Sequence, residues 1–259
     1  MKIGVFDSGL GGLVITKAFI NAMPEYDYFY YGDSAHLPYG DKTSGRILNY
    51  TLDAIRYMIN NDCKLIIIAC NTATSIALRY LQKRFIPSFA PDVKVLGVVI
   101  PTVEVANENN SQKVGVIATS ATIRSHIYRD ELRKINSQAE IIEIAAPELV
   151  PAIENNDFET AHEFVREYSR SFTDCDSLIL GCTHYPLLKE MFRAELPHVR
   201  IVSQDELMAN KLKYYLIRHS EIESMLSKHG ERCFKISSLN QHSQKVALNL
   251  FPDIHLVKA

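Results

Sequence analysis

Asp62-Cys-Lys-Leu-Ile-Ile-Ile-Ala-Cys-Asn-Thr72 has a counterpart 112 residues further on, Asp174-Cys-Asp-Ser-Leu-Ile-Leu-Gly-Cys-Thr-His184. Each copy is a cysteine, an apolar run the length of one strand, a second cysteine and a polar turn. Runs this short and this continuously aliphatic are what strands covered on both faces look like. A second match accompanies the first: Lys2-Ile-Gly-Val-Phe-Asp-Ser-Gly9 resembles Lys113-Val-Gly-Val-Ile-Ala-Thr-Ser120, 111 residues on. Two matches at nearly one spacing predict a duplicated unit.

Outward from these runs, further strand candidates stand at residues 93–100 and 140–144, and amphipathic stretches at 74–84, 122–135, 157–170 and 187–196. Strands alternating with amphipathic helices predict a parallel α/β fold. The expected architecture is two similar lobes, each a mainly parallel sheet flanked by helices, with an active site in the cleft between them. Residues 1–98 form the first lobe, 99–206 the second, and the tail 207–259 returns to the first.

Composition narrows the function. Of 259 residues, 47% are hydrophobic and 22% charged, which excludes a disordered or collagen-like chain. Lysine and arginine number 28 against 30 acidic residues, a balance that argues against nucleic acid as a partner. Apolar runs such as 65–69 fall far short of the roughly 18 residues that span a bilayer, and the N-terminus lacks a basic-then-apolar leader, so no membrane association and a cytoplasmic location are expected. Five cysteines are too few for a disulfide scaffold, and the odd number leaves at least one free thiol.

In open parallel sheets, ligands bind beyond the carboxyl ends of the strands. Four polar loops are expected there: Asp7-Ser8-Gly9, Cys70-Asn71-Thr72, Thr119-Ser120-Ala121-Thr122 and Cys182-Thr183-His184. Hydroxyls, an amide and helix N-termini together describe a pocket for a small anion. The turn Asp7-Ser-Gly-Leu-Gly-Gly12 is no dinucleotide fingerprint, because Val14 stands where its third glycine would fall. Cys70 and Cys182 hold equivalent places at a strand end and a helix mouth, where the helix dipole is expected to lower a thiol's pKa from about 8.5. Cys63 and Cys175 read as buried small hydrophobes, and Cys233 as incidental. The matched thiols allow a metal site with His184, a redox pair, or symmetric acid–base chemistry on two faces of one carbon. No C-x-x-C or H-x-x-x-H spacing supports the first two.

The motifs Phe6-Asp-Ser-Gly-Leu-Gly-Gly12, Tyr31-Gly-Asp-Ser34, Pro38-Tyr-Gly40, Ala69-Cys-Asn-Thr-Ala73, Gly115-Val-Ile-Ala-Thr-Ser-Ala-Thr122 and Gly181-Cys-Thr-His-Tyr-Pro-Leu-Leu188 resemble, in order over about 1–190, the cofactor-independent aspartate/glutamate racemase family. His184 resembles the glutamate branch, since the aspartate enzymes typically carry Glu there. The resemblance implies interconversion of L- and D-glutamate without a cofactor or metal, for peptidoglycan synthesis, cell-wall biogenesis and cell shape, in a homodimer. It makes Cys70 and Cys182 the catalytic thiols, the first acting on D- and the second on L-glutamate, with Asp7 and His184 assisting them. It assigns Ser8, Pro38, Tyr39, Gly40, Asn71, Thr72, Thr119, Thr122 and Thr183 to substrate binding, and points to Glu154 as a further catalytic group. Ala146, Leu149, Ile100 and the run Val202-Ser203-Gln204 depart from the family pattern. Racemisation of aspartate or a related amino acid, and non-catalytic dicarboxylate binding, are the alternatives.

Overall fold

The computed structural model describes residues 1–108, 111–251 and 254–259. Among the described residues ten strands form two sheets: β1 Lys2–Asp7, β2 Tyr28–Gly32, β3 Cys63–Ile68, β4 Lys94–Gly97, β5 Lys113–Ala118, β6 Glu140–Ala145, β7 Ser177–Gly181, β8 Arg200–Val202, β9 Arg232–Ile236 and β10 Leu256–Lys258. The first sheet has the order β10-β9-β2-β1-β3-β4 and the second β6-β5-β7-β8. All neighbours in both are parallel. The run β2-β1-β3-β4 is repeated as β6-β5-β7-β8, so the duplication read from 111- and 112-residue offsets is a duplication of topology. The tail supplies β9 and β10 at the outer edge of the first sheet.

Strand parity explains the cysteines. In β3, Leu65 and Ile67 join the core shared by the two sheets, while Ile66 and Ile68 face the helices Ser44–Asn60 and Asn71–Tyr80; Cys63 reaches the same outer side across a register shift at the start of the strand. Cys70 continues that outer register beyond the strand end. In β7, Leu178 and Leu180 face outward as Ile179 faces the shared core, and Cys182 again follows the outer set. Alternation with a period of two thus delivers both thiols to corresponding corners.

Three expectations are corrected. The run 93–100 is not one strand: β4 ends at Gly97 and a helix, Val99–Asn107, begins two residues later. The apolar run continues into that helix, and a short run carries no period that separates strand from helix. The helix expected over 122–135 is two, Ser120–Arg124 and Ile127–Ile135, separated by His126 in the left-handed region at φ 56°. The amphipathic stretch near 187–196 opens with a 3-10 turn at Tyr185–Leu188 before the helix Lys189–Glu195.

The glycine shared by the repeated Lys-x-Gly-Val motif is a packing device. A Cβ on Gly115 would lie 2.5 Å from Phe172 Cδ1 and 3.0 Å from Leu178 Cδ1, and both side chains are fully buried. Gly115→Val is therefore expected to lower stability by about 1–3 kcal/mol through overpacking, read as a reduced urea midpoint. An unchanged midpoint would show that Phe172 has room to move.

Candidate active site

The polar loops converge on one cavity of about 280 Å³, small among ligand pockets. Ser8, Pro38, Tyr39, Gly40, Cys70, Asn71, Thr72, Thr119, Glu154, Cys182, Thr183 and His184 all line it. Two expected residues, Asp7 and Thr122, stand behind the wall, 0% and 1% exposed. Among the described residues no lysine or arginine lines the cavity.

Cys70 is the N-cap of Asn71–Tyr80: its sulfur accepts the Ala73 N–H at 3.4 Å and donates to Ser8 Oγ at 3.3 Å. The expected lowering of its pKa is reversed. Burial, aided by the negative charge of Asp7, pushes the Cys70 thiol up to about 12, and its hydrogen bonds with Ser8 and Ala73 do not offset it. Desolvation of a thiolate at 4% exposure outweighs one amide at a helix end. Cys182 occupies a different local setting, a turn whose carbonyl accepts the Tyr185 N–H at 3.1 Å and leads into the 3-10 segment. Its companion is His184, whose Nδ1 lies 3.9 Å from the sulfur.

Behind Cys70, Asp7 takes the Gly9 N–H on Oδ2 at 3.0 Å and the Thr183 hydroxyl on Oδ1 at 3.2 Å. The helix after this turn starts at Gly12 with Gly11 as its cap, so Asp7 is not the N-cap. Burial raises the Asp7 pKa against the opposing influence of His184 and these hydrogen bonds. Close approach of the lobes depends on Gly11, where a Cβ would come within 2.5 Å of Thr183 Oγ1 and 2.6 Å of His184 Nδ1.

His184 Nε2 lies 3.1 Å from Glu154 Oε1, an ion-pair contact whose N–H is not aimed along a hydrogen-bond line. Burial disfavours charge on His184, yet Cys182 and Glu154 together hold its pKa well above the ordinary value. Glu154 is held below its ordinary value: burial opposes this and contact with His184 prevails.

Hydroxyls from both lobes meet where Thr72 Oγ1 lies 2.8 Å from Thr119 Oγ1 and 3.3 Å from Thr122 Oγ1. Tyr39 donates to Asp33 at 2.7 Å, which fixes the Pro38-Tyr39-Gly40 loop at the cavity rim. Asn71 is less free than expected of a carboxylate ligand. Its Nδ2 donates to Gln204 at 2.9 Å, and its Oδ1 accepts from Tyr128 at 2.6 Å and Gln204 at 2.8 Å. Gln204, noted as a departure from the family pattern, ties the first-lobe loop to the second lobe. Of the remaining cysteines, Cys63 and Cys175 are buried and pushed up to about 12 and 11 by burial, while Cys233 is half-buried in β9. All five are free thiols, and among the described residues no group of three or more His, Cys, Asp or Glu side chains gathers at metal-binding spacing.

The cavity also takes in Ser120, Pro147, Val150 and Pro151 from the motifs, and Leu37, Asp41, Asn155 and His242, which sequence reasoning did not single out. Most of these adjoin quoted motifs. His242 does not: it comes from the tail helix Gln241–Leu250, and a lone histidine in a polar segment gives no sequence signal.

The sequence model of the family described as Asp/Glu/Hydantoin racemase matches residues 15–211. A glutamate racemase of Sulfurihydrogenibium sp. (strain YO3AOP1) is 41% identical over 219 residues, 82% of each chain. That of Persephonella marina (strain DSM 14350 / EX-H1) is 35% identical and covers 100% of this chain and 96% of its own. Among solved structures, glutamate racemase from Francisella tularensis subsp. tularensis SCHU S4 in complex with D-glutamate superposes with a TM-score of 0.89 at 31% identity, covering 100% of this chain and 97% of that one.

Proposed function

The chain belongs to the Asp/Glu/Hydantoin racemase family, and from that premise we propose that it interconverts L- and D-glutamate with Cys70 and Cys182 as the two acid–base groups. The observation that carries this reading is that two free thiols at topologically equivalent strand ends open onto one small cavity. Inverting a stereocentre needs a base on one face of Cα and an acid on the other.

The electrostatics suit that division of labour. With its pKa near 12, Cys70 rests as a thiol and is ready to donate. The charged form of His184, favoured by Cys182 and Glu154, lies 3.9 Å from the Cys182 sulfur and stabilises negative charge there when that thiol acts as the base. With Cys182 as the base, the α-proton of L-glutamate passes to Cys182 and one from Cys70 returns to the opposite face, giving D-glutamate. The reverse reaction starts from the opposite protonation state. Loss of an α-proton places charge on the α-carboxylate, and amides and hydroxyls fixed around the cavity hold that charge without reorganising. Ser8, Thr72, Thr119, Thr183 and the Tyr39-Gly40 segment supply them, Asn71 contributes what its bonds to Gln204 leave free, and Thr122 steadies the hydroxyl cluster from behind.

The first lobe comprises 1–98 with 207–259 and the second 99–206, meeting at the cavity. Among the described residues no helix is long and apolar enough to cross a membrane, and five free thiols suit a reducing compartment. The enzyme therefore works in the cytoplasm, supplying D-glutamate for peptidoglycan. It does so as a homodimer, whose second copy would cover exposed apolar side chains such as Tyr214 and Ile217.

In D2O without pyridoxal phosphate, L-glutamate should lose its optical rotation and gain one deuterium at Cα per D-glutamate formed. Unchanged rotation would return the protein to dicarboxylate binding, and faster turnover of L-aspartate would reassign the substrate.

A further inference from the structure

Each turnover of L- to D-glutamate leaves a proton on Cys182 and removes one from Cys70, so the free enzyme must exchange protons with solvent before it can repeat the same direction. Cys182 and His184 are only 6% and 4% exposed, which makes that exchange a structural problem. On the Cys70 side, Asp7 is fully buried and turned to Gly9 and Thr183. On the Cys182 side a line of titratable groups leads outward: the sulfur to His184 Nδ1 at 3.9 Å, then His184 Nε2 to Glu154 Oε1 at 3.1 Å. Glu154 and His242 line the active-site cavity together, and together they line a second, adjoining cavity of about 70 Å³. That is room for a water molecule between polar groups. His242 itself is exposed.

The tail is clipped in place at this point. Ser237 donates to Asp33 at 2.9 Å, Ser34 donates to the Ser238 carbonyl at 2.7 Å, and the Ala35 N–H donates to Ser237 at 2.8 Å. A capping box of Asn240 and Ser243 starts the helix, with His242 in its first turn. The loop that carries Tyr39 and the tail segment that leads into His242 are therefore held together.

We propose that His242 is the solvent-side end of a proton-exchange line, Cys182–His184–Glu154–His242, through which the second-lobe thiol is reset between turnovers. The proposal rests on the two-thiol reading. The charged His184 ring gives its Nε2 proton to Glu154 Oε1, and that proton reaches water or buffer from the His242 ring; the His184 ring then shifts its remaining proton to Nε2, and the freed Nδ1 takes the proton of Cys182 Sγ, restoring the base. Only S–H, N–H and O–H bonds form and break, and no electron changes hands. His242 acts through Glu154 and never on substrate.

The test is His242→Gln, whose exposed position leaves the core intact. Resetting the free enzyme limits kcat but not kcat/KM, so at low buffer concentration kcat should fall about tenfold, less than the loss of a direct acid or base. At the same time kcat/KM should stay within about twofold of wild type. Added imidazole, a mobile proton carrier, should restore kcat. An unchanged kcat overturns the proposal, as does a joint fall of kcat and kcat/KM that imidazole does not rescue, which would make His242 structural. Failure of the underlying reading looks different: Cys182→Ser would then racemise like wild type whatever His242 does.

Discussion

Cys70→Ser should reduce racemisation by about 10³-fold or more while leaving the protein folded. The two halves of that expectation come from separate physics. Serine is among the best N-cap residues, so the Ala73 N–H that Cys70 accepts keeps a partner and the helix Asn71–Tyr80 keeps its start. Its hydroxyl, however, is a far weaker acid and its alkoxide is not formed at neutral pH, so the proton can be neither given to nor taken from that face. Cys182, His184 and Glu154 are untouched on the other face. The variant should still exchange the α-hydrogen of L-glutamate for deuterium with retention, slowly and without accumulating D-glutamate. Cys182→Ser should show the mirror behaviour with D-glutamate. Proton NMR of the Cα signal in D2O, with a stereospecific assay for each isomer, separates exchange from inversion. Racemisation by Cys70→Ser at the wild-type rate would sink the two-thiol mechanism, and so would equal loss of exchange with both isomers.

Duplication was legible in the sequence because it leaves identical residue types at a constant offset, and strand parity then carries Cys70 and Cys182 to matching corners. The strands β2, β8, β9 and β10 were less visible. Tyr28–Gly32 is aromatic, Arg200–Val202 is three residues long, and the two tail strands lie at a sheet edge in polar sequence. Charge at the site was the hardest thing to foresee. A cysteine at a helix mouth suggests an acidic thiol, but whether the dipole or desolvation prevails depends on burial and on Asp7, and neither is local in sequence. The same holds for Asn71, whose type fits carboxylate binding, yet whose amide is shared with Gln204, 133 residues away. His242 reaches the cavity only because the tail is pinned to Ser34 and Asp33, a contact that spans about two hundred residues of chain.

Asp7→Asn should trade activity for stability, and the pH dependence of each identifies the cause. The wild-type carboxyl is fully buried and its pKa is raised above the ordinary aspartate value, with burial as the main cause. A raised folded-state pKa means that the native protein binds the Asp7 proton more tightly than the unfolded chain. The stability this contributes is complete below the unfolded pKa and is lost as pH climbs through the folded one. Asparagine cannot lose a proton, and its amide can still accept from Gly9 and, with the Thr183 hydroxyl reversed, donate to it. The melting temperatures of variant and wild type should therefore converge in acid and separate toward neutral pH. The variant should come out ahead by about 2–4 °C for each kcal/mol of relieved desolvation. Without the Asp7 charge, which helps push Cys70 up to about 12, the thiol becomes more acidic. Peptide mapping after iodoacetamide treatment should find Cys70 alkylated faster in the variant than in wild type. Racemisation should fall about 100-fold, because the group that keeps a proton on Cys70 and receives it in the reverse direction has gone. A variant that is less stable at neutral pH, or whose Cys70 reacts more slowly, would show that hydrogen bonding to Asp7 outweighs the cost of burying its charge.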